Sequence, residues 1–216
     1  MRKQLGPLYA ALFLFLNIGM FITTPEQVAY ILKQRTDSKT ALDYYNECRA
    51  EAKFLAPYLA NAKTILDIGC GMAGIDVELH SLLGDRKFFL IDKEDNASLE
   101  PYGFLSTDRF YNKLSLTRQF VSTNAPEMRF TALSSVVHQS IKNLDAIISI
   151  YSCAWHYPID EYIDLMNDNL NFGGILILDV RGTYTNECIQ TLSNFDMQEM
   201  HFPQPQRGTR YIFKKK

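Results

Sequence analysis

A chain of 216 residues with 47% hydrophobic and 21% charged residues has the composition of one ordinary globular domain with room for an added segment. That excludes a disordered chain, and the size allows a sizeable core without disulfide or metal staples. A formal net charge of −2 and a sequence pI near 6.1 supply no basic field, so no nucleic-acid partner is expected; Lys214, Lys215 and Lys216 read as a solvated basic end.

Cys48, Cys70, Cys153 and Cys188 are widely spaced and form no CxxC pair, which gives neither a zinc pattern nor a disulfide framework. Scattered single cysteines fit a reducing compartment and point to a cytoplasmic protein. No HxxxH or HExxH motif and no cluster of carboxylates at metal-ligand spacing is present, so no metal is expected.

The chain begins with Arg2 and Lys3 and then an apolar run over residues 5–22. Three readings compete for it: a helix packed on the body or lying at an interface, a membrane anchor, and a cleaved signal. The segment 21–25, Phe-Ile-Thr-Thr-Pro, is a poor cleavage site, and a cytoplasmic Arg2–Lys3 end would put the rest of an anchored chain outside. The expected organisation is therefore an apolar segment over 1–24, a helical extension over 25–62 and a main domain over 63–216, with membrane contact through 5–22 left open.

Thr24-Pro25-Glu26 is a helix start, with Pro at the first helical position and an acid in the first turn; Val28, Ile31 and Leu32 follow on one face. Ser38 is a candidate cap for a second helix carrying Leu42, Tyr45, Ala52, Leu55 and Leu59 at spacings of three and four. From residue 63 the pattern becomes alternating strands and helices. Strands are expected at 64–68, 87–91, 128–133, 146–150 and 175–180, and helices at 75–83, 114–123, 159–170 and 185–192. The glycines at 173 and 174 break the third of these helices. Two last extended runs, 197–202 and 211–213, are too close together for a crossover helix and should pair as a hairpin. The prediction is an α/β fold: a doubly wound, mostly parallel seven-stranded sheet with helices on both faces, a C-terminal antiparallel hairpin and preceding N-terminal helices.

The most informative stretch is LDIGCGMAG, residues 66–74. Gly69 and Gly71 allow a sharp turn with bare backbone against a ligand, and Gly74 allows the next helix to pack closely. Alone, GxGxxG is shared with dinucleotide enzymes. Asp67 changes the balance, because a carboxylate beside the loop suits the ammonium group of S-adenosylmethionine (SAM) and repels a pyrophosphate. Asp92, 18 residues beyond Gly74 at the end of the second strand, is placed to accept hydrogen bonds from both hydroxyls of an adenosine ribose.

These segments resemble class I SAM-dependent methyltransferases. LDIGCGMAG looks like their first motif, FFLIDKED like their second strand, LDAIISIYS like the fourth, and NFGGILILDV like the helix break and fifth strand. The resemblance implies that Gly69 and Gly71 contact the amino-acid end of SAM, that Asp92 holds the ribose, and that adenine lies near residues 133–135. The expected cofactor set is Asp67, Gly69, Cys70, Gly71, Asp92, Lys93, Ser134 and Tyr151.

The segment 149–158, Ser-Ile-Tyr-Ser-Cys-Ala-Trp-His-Tyr-Pro, leaves the fourth strand near the switch point of the sheet, where ligands of open α/β sheets bind. It is similar to a Ser…His-Tyr-Pro turn in a group of bacterial methyltransferases, some linked to sugar modification. Methyl transfer asks the protein to align a nucleophile, exclude water and, for a hydroxyl, remove a proton. His156 is the candidate base, with a turn-stabilising hydrogen bond as its alternative role. Ser152, Trp155 and Arg181 are candidates for the acceptor side, Arg181 otherwise pairing with Asp179 or Asp160. Residues 93–112 are a candidate lid or acceptor wall, with an ordinary surface loop as the alternative.

The expected activity is methyl transfer from SAM to an O or N atom of a small-molecule or glycan acceptor. Two other classes stay open: a SAM-binding module without chemistry, and an NAD(P)-dependent oxidoreductase, against which Asp67 and the terminal hairpin both argue.

Overall fold

The computed structural model describes residues 20–34, 39–94, 112–134, 141–200 and 208–216. Two helices, α1 (Pro25–Gln34) and α2 (Ala41–Leu59), lead into β1 (Thr64–Ile68), α3 (Gly74–Leu83), β2 (Lys87–Asp92), α4 (Leu114–Asn124), β3 (Arg129–Ser134) and β4 (Leu144–Ser149). A 3-10 turn (Ile159–Glu161) and α5 (Ile163–Asn169) precede β5 (Leu170–Arg181). After α6 (Thr185–Thr191) the chain ends in β6 (Phe195–Met200) and β7 (Gly208–Lys215).

The seven strands form one sheet in the order β3-β2-β1-β4-β5-β7-β6. β1 to β5 are mutually parallel, while β7 lies antiparallel between β5 and β6. This is the expected α/β sheet with its terminal hairpin. The direction of winding reverses between β1 and β4, and it is outside the carboxyl ends at such a switch point that open α/β sheets bind ligands.

Side-chain alternation along the strands sorts the core into two layers. Ile65, Phe88, Leu90, Ala146 and Ile148 face the side covered by α1 to α4, where Tyr44, Cys48, Leu55 and Phe120 are buried. Leu66, Ile68, Phe89, Ile91 and Ile147 face Leu165, Met166, Cys188 and Leu192, brought by α5 and α6.

Several expectations need correction. The cap of α2 is Thr40, whose hydroxyl accepts the Asp43 N–H at 3.1 Å; Ser38 lies outside the described residues. Leu32 and Leu42 are exposed, and α2 instead buries Tyr44, Cys48 and Glu51 beside the expected Ala52, Leu55 and Leu59. β5 begins at Leu170 rather than 175, because a register shift between Leu144 and Ala146 lets it absorb Gly173 (φ 73°) within a bulged start.

The localisation expectation, cytoplasmic with membrane contact through 5–22, is also corrected. No helix among the described residues is long and apolar enough to cross a membrane. The described end of that apolar run is packed on the body: Phe21 is buried edge-on against Tyr45 and Phe120, at 5.1 and 5.0 Å between ring centroids. The Ile22 N–H is bonded to Asn124 Oδ1 at 2.6 Å. Residues 1–19 lie outside the described set.

Candidate functional site

Strand alternation puts Asp67 and Asp92 on the same face of neighbouring strands, with the loop 69–73 passing between them. The loop is held almost entirely by intramolecular bonds. The Gly69 and Cys70 N–H groups both reach Ile91 O, at 2.8 and 3.2 Å, and Ala73 N–H closes on Cys70 O at 2.7 Å. Gly69 (φ 83°) and Gly71 (φ 54°) occupy the left-handed region that glycine tolerates without strain.

Asp92 is the keystone of this arrangement. Its Oδ2 accepts the Gly71 N–H at 2.8 Å and its Oδ1 the Lys93 N–H at 2.8 Å. Asn112 Nδ2 donates to Asp92 Oδ2 at 3.2 Å and to Gly71 O at 2.6 Å, and the Thr117 hydroxyl donates to the same carbonyl at 2.8 Å. Burial pushes the Asp92 carboxyl up to about 6, against the pull of the Gly71 and Lys93 amides, so it is mostly ionised at neutral pH. Oδ2 spends both lone pairs on Gly71 and Asn112 and Oδ1 spends one on Lys93, so Oδ1 keeps one acceptor site for a ribose hydroxyl. Ser134 stands beside it, paired in register with Asp92 at the end of β3.

Two of the glycine expectations change. The Cβ position of Gly69 is filled by Ser152, whose Oγ and Cβ lie 2.1 and 2.2 Å from it, so this glycine makes room for a side chain of the β4 turn rather than for a ligand. A Cβ on Gly74 would meet Tyr44 Oη at 2.5 Å and Cys48 Sγ at 2.6 Å; that glycine admits α2, not close packing of α3 on its own strand. The Gly74 N–H donates to Tyr44 Oη at 3.1 Å. Gly69→Ala should therefore cost about 2–4 kcal/mol from strained backbone and overpacking. Adding Ser152→Gly should return the overpacking share, seen as a recovered urea midpoint.

Beneath the loop lies a residue the sequence reading passed over. Asp76, in the first turn of α3, is fully buried, with Asp67 and its own backbone N–H at its carboxyl. It faces Asp67, and burial pushes its carboxyl up to about 7. The Cys70 thiol is held far above its ordinary range by burial and by the charges of Asp92, Asp67 and Asp76, so it stays protonated.

The β4 turn gathers the acceptor-side candidates. Ser149 Oγ donates to Ile68 O at 2.7 Å and accepts the Cys153 N–H at 2.9 Å, tying the ends of β1 and β4 together at the switch point. Ser152 O then receives the N–H groups of Trp155, His156 and Tyr157 at 3.1, 2.8 and 3.1 Å. Tyr151 (φ 62°) and Ala154 (φ 63°) sit in the left-handed region, a conformation costly for non-glycine residues. The Tyr151 and Trp155 rings meet edge to face at 5.1 Å, and Trp155 also packs over Gly208 of β7.

Arg181 N–H donates to Ala154 O at 3.1 Å, which brings the end of β5 against this turn. Burial first, then the Arg181 charge, lowers the His156 imidazole to about 4, so His156 is neutral at physiological pH. Lys93 directs its ammonium elsewhere than the ribose side: it lies 2.8 Å from Glu161 Oε2 and 3.9 Å from the Tyr157 ring centroid. Asp179, one of two alternative partners for Arg181, is instead bound by Arg210. Of residues 93–112, the ends meet at a Glu94–Asn112 bridge, and the lid expectation falls on 95–111, outside the described residues.

No protein-family model and no curated protein matches this chain. Solved structures do. A ribosomal protein L11 methylase from Lactobacillus delbrueckii subsp. bulgaricus superposes with a TM-score of 0.57 at 14% identity, over 77% of this chain and 77% of that one. A precorrin-6y C5,15-methyltransferase from Geobacter metallireducens gives 0.54 at 11%, over 91% and 95%. A provisionally assigned O-methyltransferase from Nostoc punctiforme gives 0.56 at 13%, over 79% of this chain; this chain spans only 56% of that protein's length. At such identities the likeness is one of fold. The chain has the Rossmann-like fold of class I SAM-dependent methyltransferases.

Proposed function

We propose that this protein binds SAM at the loop 69–73 and transfers its methyl group to an O or N atom of a small-molecule or glycan acceptor, with residues 63–216 as the binding domain. The observation that carries the reading is the set of carboxyls around the loop, Asp67, Asp76 and Asp92. In a dinucleotide site the helix N-terminus after the glycines receives a pyrophosphate. Here that turn carries the buried Asp76, which would repel one. A cationic nucleoside meets the opposite situation.

Bound SAM would supply a methyl carbon already activated on a sulfonium. Asp92 would accept a ribose hydroxyl, Ser134 and the end of β3 would flank the adenine, and the loop backbone with Asp67 would hold the amino-acid end. Tyr151 and Trp155 would wall the junction with the acceptor and exclude water. His156, neutral across the working range, would accept a hydrogen bond or proton from the acceptor, and Arg181 beside it suits an acceptor bearing negative charge. A net charge of −2 favours small acceptors over nucleic acid.

The test is incubation with methyl-labelled SAM and a whole-cell lysate of the host, fractionated afterwards. Label should enter a low-molecular-weight or glycan fraction; label confined to protein or RNA would contradict the acceptor class. The His156→Ala variant should lose about 10²–10⁴-fold in kcat/KM. Because the imidazole titrates near 4, the wild-type profile should show no histidine inflection between pH 6 and 9. An unchanged rate in the variant would remove His156 from the chemistry.

A further inference from the structure

Asp67 and Asp76 are almost wholly buried, 4% and 0% exposed, on facing elements: Asp67 on the α-helical side of β1, Asp76 on the first turn of α3. Two carboxyls in hydrogen-bond contact must share a proton, and Asp76 meets Asp67 and its own backbone N–H with no cation beside it. Other polar or titratable groups approach from every side of the pair. Cys70 comes from the loop, and Asp92 from β2 acts on the same thiol. From α2, Tyr44 and Cys48 press against Gly74, and along α3 lie Glu78 and His80. The nearby cations Arg49 and Lys53 act on Glu78. Burial and the Asp67 contact govern Asp76, whose carboxyl is raised into the neutral range. A buried pair of acids with no cation, at a ligand loop, suits a cation or a proton in its place.

We propose that Asp67 and Asp76 form a one-proton subsite beneath the glycine loop, which gives up that proton when the α-ammonium group of a nucleoside bearing an S-linked amino acid docks above it. This rests on the reading of the loop as a SAM site and deepens it. In the exchange the carboxyl O–H bond breaks, its proton passes to the solvent buffer, and an ion pair forms between the ammonium and the resulting carboxylate, so the charge of the site is conserved. Asp76 acts here as a positioning residue: the proton belongs to the pair, which cannot hold it once Asp76 is replaced.

The experiment is calorimetry on the full chain at pH 7.0 in buffers of different ionisation enthalpy, with S-adenosylhomocysteine and with 5′-methylthioadenosine, which shares the adenosine but lacks the amino acid. S-adenosylhomocysteine should release about half a proton per site, and its affinity should weaken roughly tenfold from pH 8 to pH 6. Methylthioadenosine should release close to none, which separates the pair from any contribution of Asp92. Asp76→Asn, whose amide can still donate to Asp67, should bind S-adenosylhomocysteine with no release and a flat pH dependence. Binding to the wild type without proton exchange, or exchange retained in Asp76→Asn, would overturn the subsite while leaving the SAM reading intact. Failure of both nucleosides to bind would overturn the SAM reading, and the subsite with it.

Discussion

Arg210→Met should destabilise the protein by about 3–5 kcal/mol, read as a fall in the urea midpoint at unchanged slope. Arg210 sits on β7 opposite Asp179 of β5, and its guanidinium is only 3% exposed. Nε and Nη2 reach Asp179 at 2.6 and 2.8 Å, while Nη1 reaches Glu51 Oε2 of α2 at 2.7 Å. One planar cation thus joins the N-terminal helix to the antiparallel end of the sheet. Its attraction for two carboxylates is offset by the cost of desolvating all three, so the intact triad adds little net stability. Removing the cation alone is a different matter, because two buried carboxylates then stand without it. Arg210→Met combined with Glu51→Gln and Asp179→Asn should recover most of the loss; no recovery would mean that the stacking of the guanidinium on Phe54, whose ring centroid lies 5.6 Å from Cζ, carries the effect.

Asp76→Asn should become more stable than wild type as pH rises. The folded carboxyl is raised from its ordinary 3.8 to about 7 by burial. A raised acid favours folding fully below its unfolded value, and that contribution is lost progressively up to the folded value. The wild type should therefore lose stability relative to the variant between pH 4 and pH 7 and run parallel to it above. The difference is on the order of a few kcal/mol at its limit. Denaturant midpoints for the two proteins at pH 4, 5.5, 7 and 8.5 check this; a constant gap would show that Asp76 is ionised throughout.

How far the sequence revealed all this follows the range of the interactions involved. β1 was legible as Thr64–Ile68 because a short β-branched run bounded by lysine and glycine has one reading, and β2 with Asp92 followed from the same logic. β5 began five residues early because a bulge, set by its pairing with β4, leaves no mark in periodicity. Leu42 was misplaced because apolar spacing in α2 does not reveal which stripe meets α3; Tyr44 does, through its contact with the Gly74 amide.

The site divides in the same way. Asp67, the glycines and Asp92 lie in one local motif, and the structure brings them to a common loop. Asn112 and Thr117 hold Gly71 from more than 40 residues away, and only the fold makes them partners. Arg210 and Glu51 are separated by 159 residues. Asp76 was visible but uninformative, since an acid in the first turn of a helix is ordinary. Its burial beside Asp67, which no spacing rule encodes, gives it meaning. The reverse also holds: Gly69 was expected to bare the backbone to a ligand, and it yields that space to Ser152.

The most direct test of the account is calorimetric titration of the wild type and of Asp92→Ala with SAM, alongside NADH. One SAM site in the wild type, weakened at least about 100-fold (about 2.7 kcal/mol) in the variant, with no NADH binding, is the predicted result. Tight NADH binding without SAM binding, or SAM affinity indifferent to the loss of Asp92, would contradict it.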